Sequence, residues 1–306
     1  MQLRHRVLAV VVAAIWGVNF VVTDVGLRDL SPLVLTALRF TACAVPLVFF
    51  VPRPTASARY VVAYGAVFGA LQYGLLFTAM AGRMPAGMAS LVLQAQAPLS
   101  VLLATTLLGE RIRTRQAVGV VVASAGIGVL AAGHGGHATA AGFVLTLLAA
   151  AAWAAGNVIV RASGERRPVS MLAYSSLVPP LPLLALAAAT DGPATVTHML
   201  GHLTGRALLA VAYIAYVSTL LGFGGWNRLL GRYPVGRVAP FSLLVPVVGV
   251  ATSAVVLGEP LTWRTAAVAA VVLVGLALVV GARPGTGGHP PRTTDHAQAP
   301  AGVAGA

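Results

Sequence analysis

The feature that most constrains this chain is a succession of apolar segments separated by short breaks rich in proline, glycine or arginine. A helix needs about 20 mostly apolar residues to cross the roughly 30 Å hydrocarbon core of a bilayer, because each residue adds about 1.5 Å. The sequence therefore predicts an all-α membrane protein with ten transmembrane helices. They lie near residues 7–27, 32–51, 60–80, 86–107, 115–132, 140–160, 169–189, 207–228, 236–257 and 263–281.

Composition agrees with a membrane protein and excludes several other classes. Only 9% of residues are charged, against about 25% in soluble domains. The net charge of +13 does not indicate nucleic-acid binding, because the arginines stand singly or in threes between apolar segments. Cys43 is the single cysteine, which excludes a disulfide framework and a cysteine-based metal site. Since no glycine-rich phosphate loop is present either, we expect no cofactor and no metal.

The placement of arginine predicts the orientation. With the N-terminus inside, fifteen of the twenty arginines fall on the cytoplasmic side and only Arg28, Arg83, Arg206 and Arg264 fall outside. Both termini are therefore expected in the cytoplasm, in a multi-pass protein of the cell (inner) membrane. The first segment resembles a signal peptide, but its length and the lack of a small-residue cleavage site favour a retained helix.

The chain contains an internal repeat. Pro85-Ala86-Gly87, Leu108-Gly109-Glu110 and Gly126 recur 149 residues later as Pro234-Val235-Gly236, Leu257-Gly258-Glu259 and Gly275. Each copy holds five predicted helices, an odd number, so the second copy enters the membrane from the opposite side. We therefore predict a first repeat at 1–135, a second, inverted repeat at 136–282, and a disordered cytoplasmic tail at 283–306. Inverted repeats are typical of alternating-access transporters, whose substrate site lies where the halves meet.

These features, with the stretches Trp16-Gly17-Val18-Asn19 and Ala37-Leu38-Arg39-Phe40, resemble the EamA family of the drug/metabolite transporter superfamily. The segment around Met84–Ala97 and the Leu243–Gly249 stretch are similar to the O-acetylserine/cysteine exporter branch. The resemblance implies export of small polar metabolites, in particular amino acids of the cysteine pathway.

Two proline-interrupted helices give the sharpest prediction of a site. Gln94 stands four residues before Pro98, and Ser242 stands four residues before Pro246. Proline has no N–H for the carbonyl four residues back, so each position is expected to present a side chain together with a freed carbonyl. Such acceptors suit the ammonium group of an amino acid, although a plain proline kink is the alternative. Gln96 lies about 200° around the helix from Gln94, so we expect only Gln94 to face the cavity squarely.

Polar side chains at membrane depth usually face a cavity or a partner helix, so each is a candidate ligand. Helix-to-helix hydrogen bonding is the alternative role, above all for the asparagines. The candidates are Trp16, Asn19, Gln72, Tyr73, Trp153, Asn157 and Tyr216.

Arg39 lies within the second predicted helix, at a depth similar to that of Asp24 in the first. The two could pair. We expect a structural role for Arg39, because the family resemblance covers Arg39 and not Asp24, and we keep a ligand-carboxylate clamp as the alternative. The pairs His134 and His137, and His198 and His202, lack the further ligands that a metal site needs. Small residues at Gly65, Gly69, Gly119 and Ala123 indicate close helix packing and only weakly a homodimer.

The resulting prediction is a carrier, not an enzyme, that exports a small-molecule substrate from within the lipid bilayer. A broad-range drug or metabolite exporter is the alternative, which the low aromatic content of 7% disfavours. A non-transport membrane scaffold and an intramembrane enzyme are less favoured. The argument against a hydrolase is that no histidine lies inside a predicted helix.

Overall fold

The computed structural model describes residues 1–110, 112–132, 138–233 and 235–280. Within these ranges the chain forms helices and turns and contains no strand. The predicted tail at 283–306 and the pair His134 and His137 lie outside the described residues.

Eight helices are long and apolar enough to cross a membrane, and two apolar helices are shorter. The long ones are α1 (Leu3–Leu27), α2 (Pro32–Phe50), α3 (Ala58–Met80), α4 (Ala86–Leu108), α6 (Ala140–Ser163), α7 (Pro168–Asp191), α8 (Gly205–Leu230) and α9 (Ala239–Leu257). The shorter ones are α5 (Thr114–Ala132) and α10 (Trp263–Val280). This is an integral membrane protein with multiple spans.

The outer surface is apolar, as lipid requires. Phe49, Phe50, Leu181 and Val255 are each more than three-quarters exposed. Such a surface would promote aggregation in water, whereas a bilayer solvates it. The interior is also largely apolar, with Leu35, Phe77 and Ile214 fully buried, and it includes small residues and a few polar groups. In lipid the bundle is held by close packing and not by hydrophobic burial alone.

Two elements differ from the predicted pattern. The segment expected as one helix at 169–189 is broken, because α7 consists of Pro168–Ser175 and Pro180–Asp191 with turns between them. Pro179, Pro180 and Pro182 each lack the N–H that a continuous helix would use. A short helix, Pro193–Gly201, then joins α7 to α8 where we expected only a loop.

Three of the long helices contain π-helical segments, and the segments in α3 and α8 lie at matching places; the third covers Ser253–Leu257 in α9. The segment in α3 covers Gly65–Gln72, and the segment in α8 covers Tyr213–Leu221. Their first residues are 148 apart and their last residues 149 apart, close to the spacing of the repeated motifs. π-Helical turns are rare and are frequently found at functional sites.

The loops make two sets of contacts. In the first set, Thr55 donates to Glu165 at 2.7 Å, and the His5 ring lies 2.8 Å from the Tyr233 hydroxyl. We call the side that carries these residues the N-terminal face. In the second set, Thr139 N–H donates to the carbonyl of Arg83 at 2.8 Å, and Arg206 pairs with Asp29. We call this side the opposite face.

The small-residue faces are occupied within the chain. A Cβ added at Gly119 would lie 2.7 Å from the carbonyl oxygen of Gly275 in α10, and one added at Gly69 would lie 2.5 Å from Pro179 in α7. These faces therefore pack helices of the same chain together, and they give no support to a homodimer.

Candidate functional site

A cavity of about 140 Å³ lies inside the bundle, where α1, α2, α3, α4, α6, α8 and α9 approach one another. Six of the side chains predicted as ligands line it, together with Arg39. They are Trp16, Asn19, Tyr73, Gln94, Trp153 and Ser242. The helices that meet here come from both predicted repeats.

One face of α1 forms a wall of the cavity. Trp16, Asn19 and Thr23 are spaced three and four residues apart, so they project from the same side of the helix. The indole Nε1 of Trp16 donates to the carbonyl of Ser218 at 3.0 Å, and its ring lies 5.3 Å from that of Phe223. Trp16 is therefore held in place by α8. The Asn19 side-chain oxygen and the Thr23 hydroxyl are buried with no hydrogen-bond partner.

The two proline-interrupted helices both tighten where the prolines withhold their N–H groups. Leu93–Ala95 in α4 and Ala239–Leu243 at the start of α9 are 3₁₀-helical, and Pro98 and Pro246 follow them. Gln94 and Ser242 both line the cavity. The Ser242 hydroxyl donates its proton to the carbonyl of Ala239 at 2.7 Å, so the lone pairs of its oxygen are left as acceptors.

Gln96 also lines the cavity, which corrects the expectation that only Gln94 faces it. That expectation assumed 100° per residue, whereas a 3₁₀ turn has about three residues and brings Gln94 and Gln96 closer in angle. Asn157 lies outside the lining and is exposed; its amide donates to Ser100 at 3.0 Å and to Gln96 at 3.5 Å.

Gln72 and Tyr216 are not among the lining residues. Gln72 is fully buried, and neither atom of its amide has a hydrogen-bond partner. Tyr216 is 43% exposed on the outer surface, while Tyr213 points inward and donates to the carbonyl of Ile15 at 3.0 Å. Both Gln72 and Tyr216 belong to π-helical segments, whose wider turns rotate side chains away from the directions that an α-helix predicts.

Arg39 is buried beside the cavity with only 3% of its surface exposed. Its guanidinium lies 3.6 Å from the centre of the Tyr73 ring, and Nη2 donates to Thr219 Oγ1 at 3.3 Å. The suggested pairing with Asp24 is not formed, because Asp24 accepts from Arg28, one turn away, at 3.2 Å. Arg39 Nε and Nη1 are buried without a hydrogen-bond partner.

Several residues of the site were not predicted. Thr23, Ser90, Ser218 and Phe223 line the cavity. Thr23 was detectable, because it continues the face of Trp16 and Asn19 by one further helical turn. Ser218 was not, since it lies in the π-helical segment of α8, and neither was Phe223, which follows that segment.

Among the described residues, no group of three or more histidine, cysteine or acidic side chains is arranged to hold a metal ion. His198 and His202, at the end of the short connecting helix, stack with ring centres 4.4 Å apart, and neither of them lines the cavity. Their geometry is that of two neighbouring rings one helical turn apart.

Apolar helices that surround an internal cavity with several polar side chains in its wall define the class of this molecule as a membrane transporter. The pattern of the EamA-like transporter family matches residues 5–132 and again residues 140–281. The chain belongs to this family.

Relatives extend over nearly the whole chain. It is 42% identical over 282 residues to a "Probable amino-acid metabolite efflux pump" of Escherichia coli strain K12, covering 90% of this chain and 94% of the relative. It is 30% identical to a "Probable terminal-alkyne amino-acid exporter" of Streptantibioticus cattleyicolor, covering 85% and 88%. A solved crystal structure shares the fold, with a TM-score of 0.62 at 21% identity over 91% of this chain and 96% of the other. The two named relatives are named as an efflux pump and an exporter, not as enzymes.

Proposed function

We propose that this protein exports small polar metabolites, namely amino acids of the cysteine pathway such as O-acetylserine and cysteine. The observation that carries the proposal is the internal cavity whose lining includes the amides of Asn19, Gln94 and Gln96 and the hydroxyl of Ser242. Amide and hydroxyl groups replace the water contacts of a polar solute, each good hydrogen bond contributing about 1 kcal/mol. The names of the relatives above, both of which refer to amino-acid export, support the same substrate class.

The transport mechanism we propose is alternating access between two inverted halves, residues 1–135 and 136–282. In this arrangement α5 and α10 also cross the membrane, which gives ten spans. Three observations support it: the family pattern matches twice, the sequence motifs recur at 149 residues, and the π-helical segments of α3 and α8 recur at nearly the same spacing. The cavity then lies where inverted repeats place a substrate site.

We further propose that both termini are cytoplasmic, which makes the N-terminal face the inner one. Arginine supports this orientation, since basic loops remain in the cytoplasm. The opposite face carries Arg28, Arg83, Arg206 and Arg264 of the twenty arginines. A reporter fused after Gly281 that is active only outside the cytoplasm should stay inactive, and an active fusion would contradict the orientation.

The residues proposed to contact substrate are the cavity-lining Trp16, Asn19, Tyr73, Gln94 and Ser242, with Trp153 closing one side. Trp153 packs edge-on against Phe68 at 5.8 Å, so its position is fixed by α3. Asn157 does not line the cavity, but its amide donates a hydrogen bond to the side-chain oxygen of Gln96.

A broad-range drug exporter is the second candidate. Trp16, Phe77, Phe223 and Trp153 do give the cavity apolar walls. The test is export from liposomes that contain the purified protein, comparing cysteine and O-acetylserine with a cationic dye. Export of both amino acids without the dye supports the proposal, and export of the dye alone would contradict it.

A further inference from the structure

We propose that Arg39 is the carboxylate-binding residue of the cavity, so that exported molecules must carry a free carboxylate. The inference rests on the proposed export function and identifies the chemical group that the site recognises. Sequence reasoning favoured a structural role for Arg39, and three observations of the structure argue for the alternative.

The first observation is that the Arg39 charge has no anionic partner in the described part of the chain. Arginine stays charged in proteins, and burying an unpaired charge is costly. Six of the seven acids are described, and each has a hydrogen-bond partner elsewhere. Asp24 pairs with Arg28, Asp29 with Arg206, Glu110 with Arg161, Glu165 with Thr55, Asp191 with Thr190 and Glu259 with Ala86.

The second observation is that the guanidinium is held in a defined position. The Tyr73 ring covers one face of it at 3.6 Å, which is a favourable cation–π distance. Thr219 donates its own proton to the carbonyl of Ile214 at 2.8 Å, so the lone pairs of its hydroxyl oxygen are left to accept from Arg39. Nε and Nη1 keep their N–H donors without acceptors. A fixed cation with unused donors is suited to bind a carboxylate.

The third observation concerns the facing wall of α1. The Asn19 side-chain oxygen and the Thr23 hydroxyl line the same cavity and are also buried without partners. Arg39 offers donors only, whereas the Asn19 oxygen is an acceptor. The cavity therefore presents unpaired groups for both ends of a zwitterion, a carboxylate at Arg39 and an ammonium at Asn19.

The charge of Arg39 also explains which molecules are excluded. In a low-dielectric site a fixed positive charge repels a cation that lacks a carboxylate. Small amines should therefore be excluded, although they are similar to amino acids in size. Cationic dyes should be excluded for the same reason of charge.

The first test uses the unmodified protein. In liposomes loaded with L-cysteine under reducing conditions, uptake of labelled L-cysteine by exchange is measured against two competitors, cysteamine and L-cysteine methyl ester. Both keep the thiol and the amine and lack a free carboxylate. We expect each to compete at least 10-fold more weakly than L-cysteine. Equal competition would overturn the Arg39 proposal while leaving amino-acid export intact.

The second test uses three variants, Arg39→Gln, Arg39→Lys and the control Arg28→Gln, an arginine that is paired outside the cavity. We expect Arg39→Gln to lower exchange about 100-fold, Arg39→Lys to lower it less because the charge remains, and Arg28→Gln to leave it unchanged. If Arg39→Gln retained both normal exchange and the preference for L-cysteine over cysteamine, the proposal would be wrong.

A binding measurement covers the case in which Arg39→Gln folds poorly or cysteine is not the substrate. The melting temperature of the purified protein is followed with glycine, L-serine, L-cysteine and the matched amine ethanolamine, since a bound ligand raises it. Stabilisation by the amino acids but not by ethanolamine, in a protein that does not transport cysteine, supports Arg39 and contradicts the cysteine assignment. Stabilisation by ethanolamine equal to that by L-serine would overturn the carboxylate site.

Discussion

The carboxylate of Glu259, which follows α9, accepts a hydrogen bond from the backbone N–H of Ala86, the first residue of α4, at 2.7 Å. Its second oxygen accepts from Gly87 N–H at 3.0 Å. A carboxylate at a helix N-terminus is stabilised by the unpaired N–H groups and by the helix dipole. This contact joins the two predicted halves on the opposite face, and we predict that it keeps that side of the bundle closed.

We predict that Glu259→Gln loosens this closure, because an amide is neutral and offers one acceptor oxygen in place of two. The loss of a cap contributes about 1 kcal/mol. In a Cys43→Ser background, a cysteine placed by Ser90→Cys should react faster with a membrane-impermeant thiol reagent once Glu259 is replaced. Asp191→Asn, an exposed change on the same face, serves as the control. An unchanged labelling rate would show that the cap does not close the cavity.

We predict that Gly222→Ala disrupts the wall of the cavity. A Cβ at Gly222 would lie 2.5 Å from Trp16 Nε1, whereas a Cβ at Gly224 in the same helix meets nothing within 4 Å. Overpacking of this kind costs about 1–3 kcal/mol. Gly222→Ala should therefore lower both exchange activity and melting temperature, and Gly224→Ala should change neither. Similar behaviour of the two variants would contradict the close approach of Trp16.

Gly275 should be required for the packing of α10 on α5. A Cβ at Gly275 in α10 would collide with the backbone nitrogen of Ala123 in α5. A Cβ at Gly128, which is likewise in α5, would meet nothing within 4 Å. Since backbone cannot move aside as a flexible side chain does, we expect Gly275→Ala to lower the melting temperature clearly and Gly128→Ala to leave it close to wild type. A Gly275→Ala protein as stable as wild type would mean that α5 and α10 are further apart.

Gln94→Ala should weaken amino-acid exchange by about 10-fold, which corresponds to the loss of about 1.4 kcal/mol. The side chain lines the cavity, so its removal takes hydrogen bonds from the substrate and not from the fold. Thr106→Ala, on an exposed position of the same helix, is the control and should exchange normally. Protein yield is measured alongside; a loss of yield that accounts for the loss of exchange would contradict a binding role.

The contribution of the Asp29–Arg206 pair to stability should depend on pH only in acid. Hydrogen bonds from Arg206 and Thr204 outweigh burial and lower the pKa of Asp29 from 3.8 to about 2. A depressed carboxyl pKa stabilises the fold above the unfolded value, and that contribution is lost as pH falls toward 2. The melting-temperature difference between wild type and Asp29→Asn should stay constant from pH 8 to 5 and shrink below about pH 4. A difference that already shrinks at pH 6 would refute the assignment.

The positions of the helices were largely predictable, because span length follows from bilayer thickness and apolar residues mark it directly. The break in α7 was not predicted, although Pro179, Pro180 and Pro182 were visible. A count of apolar residues takes no account of a missing N–H. The helix at Pro193–Gly201 was missed because it is too short and too polar to resemble a span.

The site was predictable where the helices are regular. Trp16 and Asn19 line the cavity together because α1 is an uninterrupted α-helix, so their spacing fixes their common face. Gln72 and Tyr216 lie elsewhere because π-helical turns changed the angle, and contacts between helices decide where such turns form. The lack of an anionic partner for Arg39 was not predictable for another reason. Asp24 lies at a similar depth in the sequence, but it pairs with the nearer Arg28.

The π-helical segments of α3 and α8 give these helices an adjustable register. A π turn holds one more residue than an α turn, so displacing it along the helix by one position rotates each residue that it passes by about 100° and exchanges only a few hydrogen bonds. The segment in α3 ends next to Tyr73, and the segment in α8 contains Thr219, the two residues that hold Arg39. A shift of either π turn by one residue would thus move Tyr73 or Thr219 away from the guanidinium and change its direction. The ends of the helices would stay fixed in their loops.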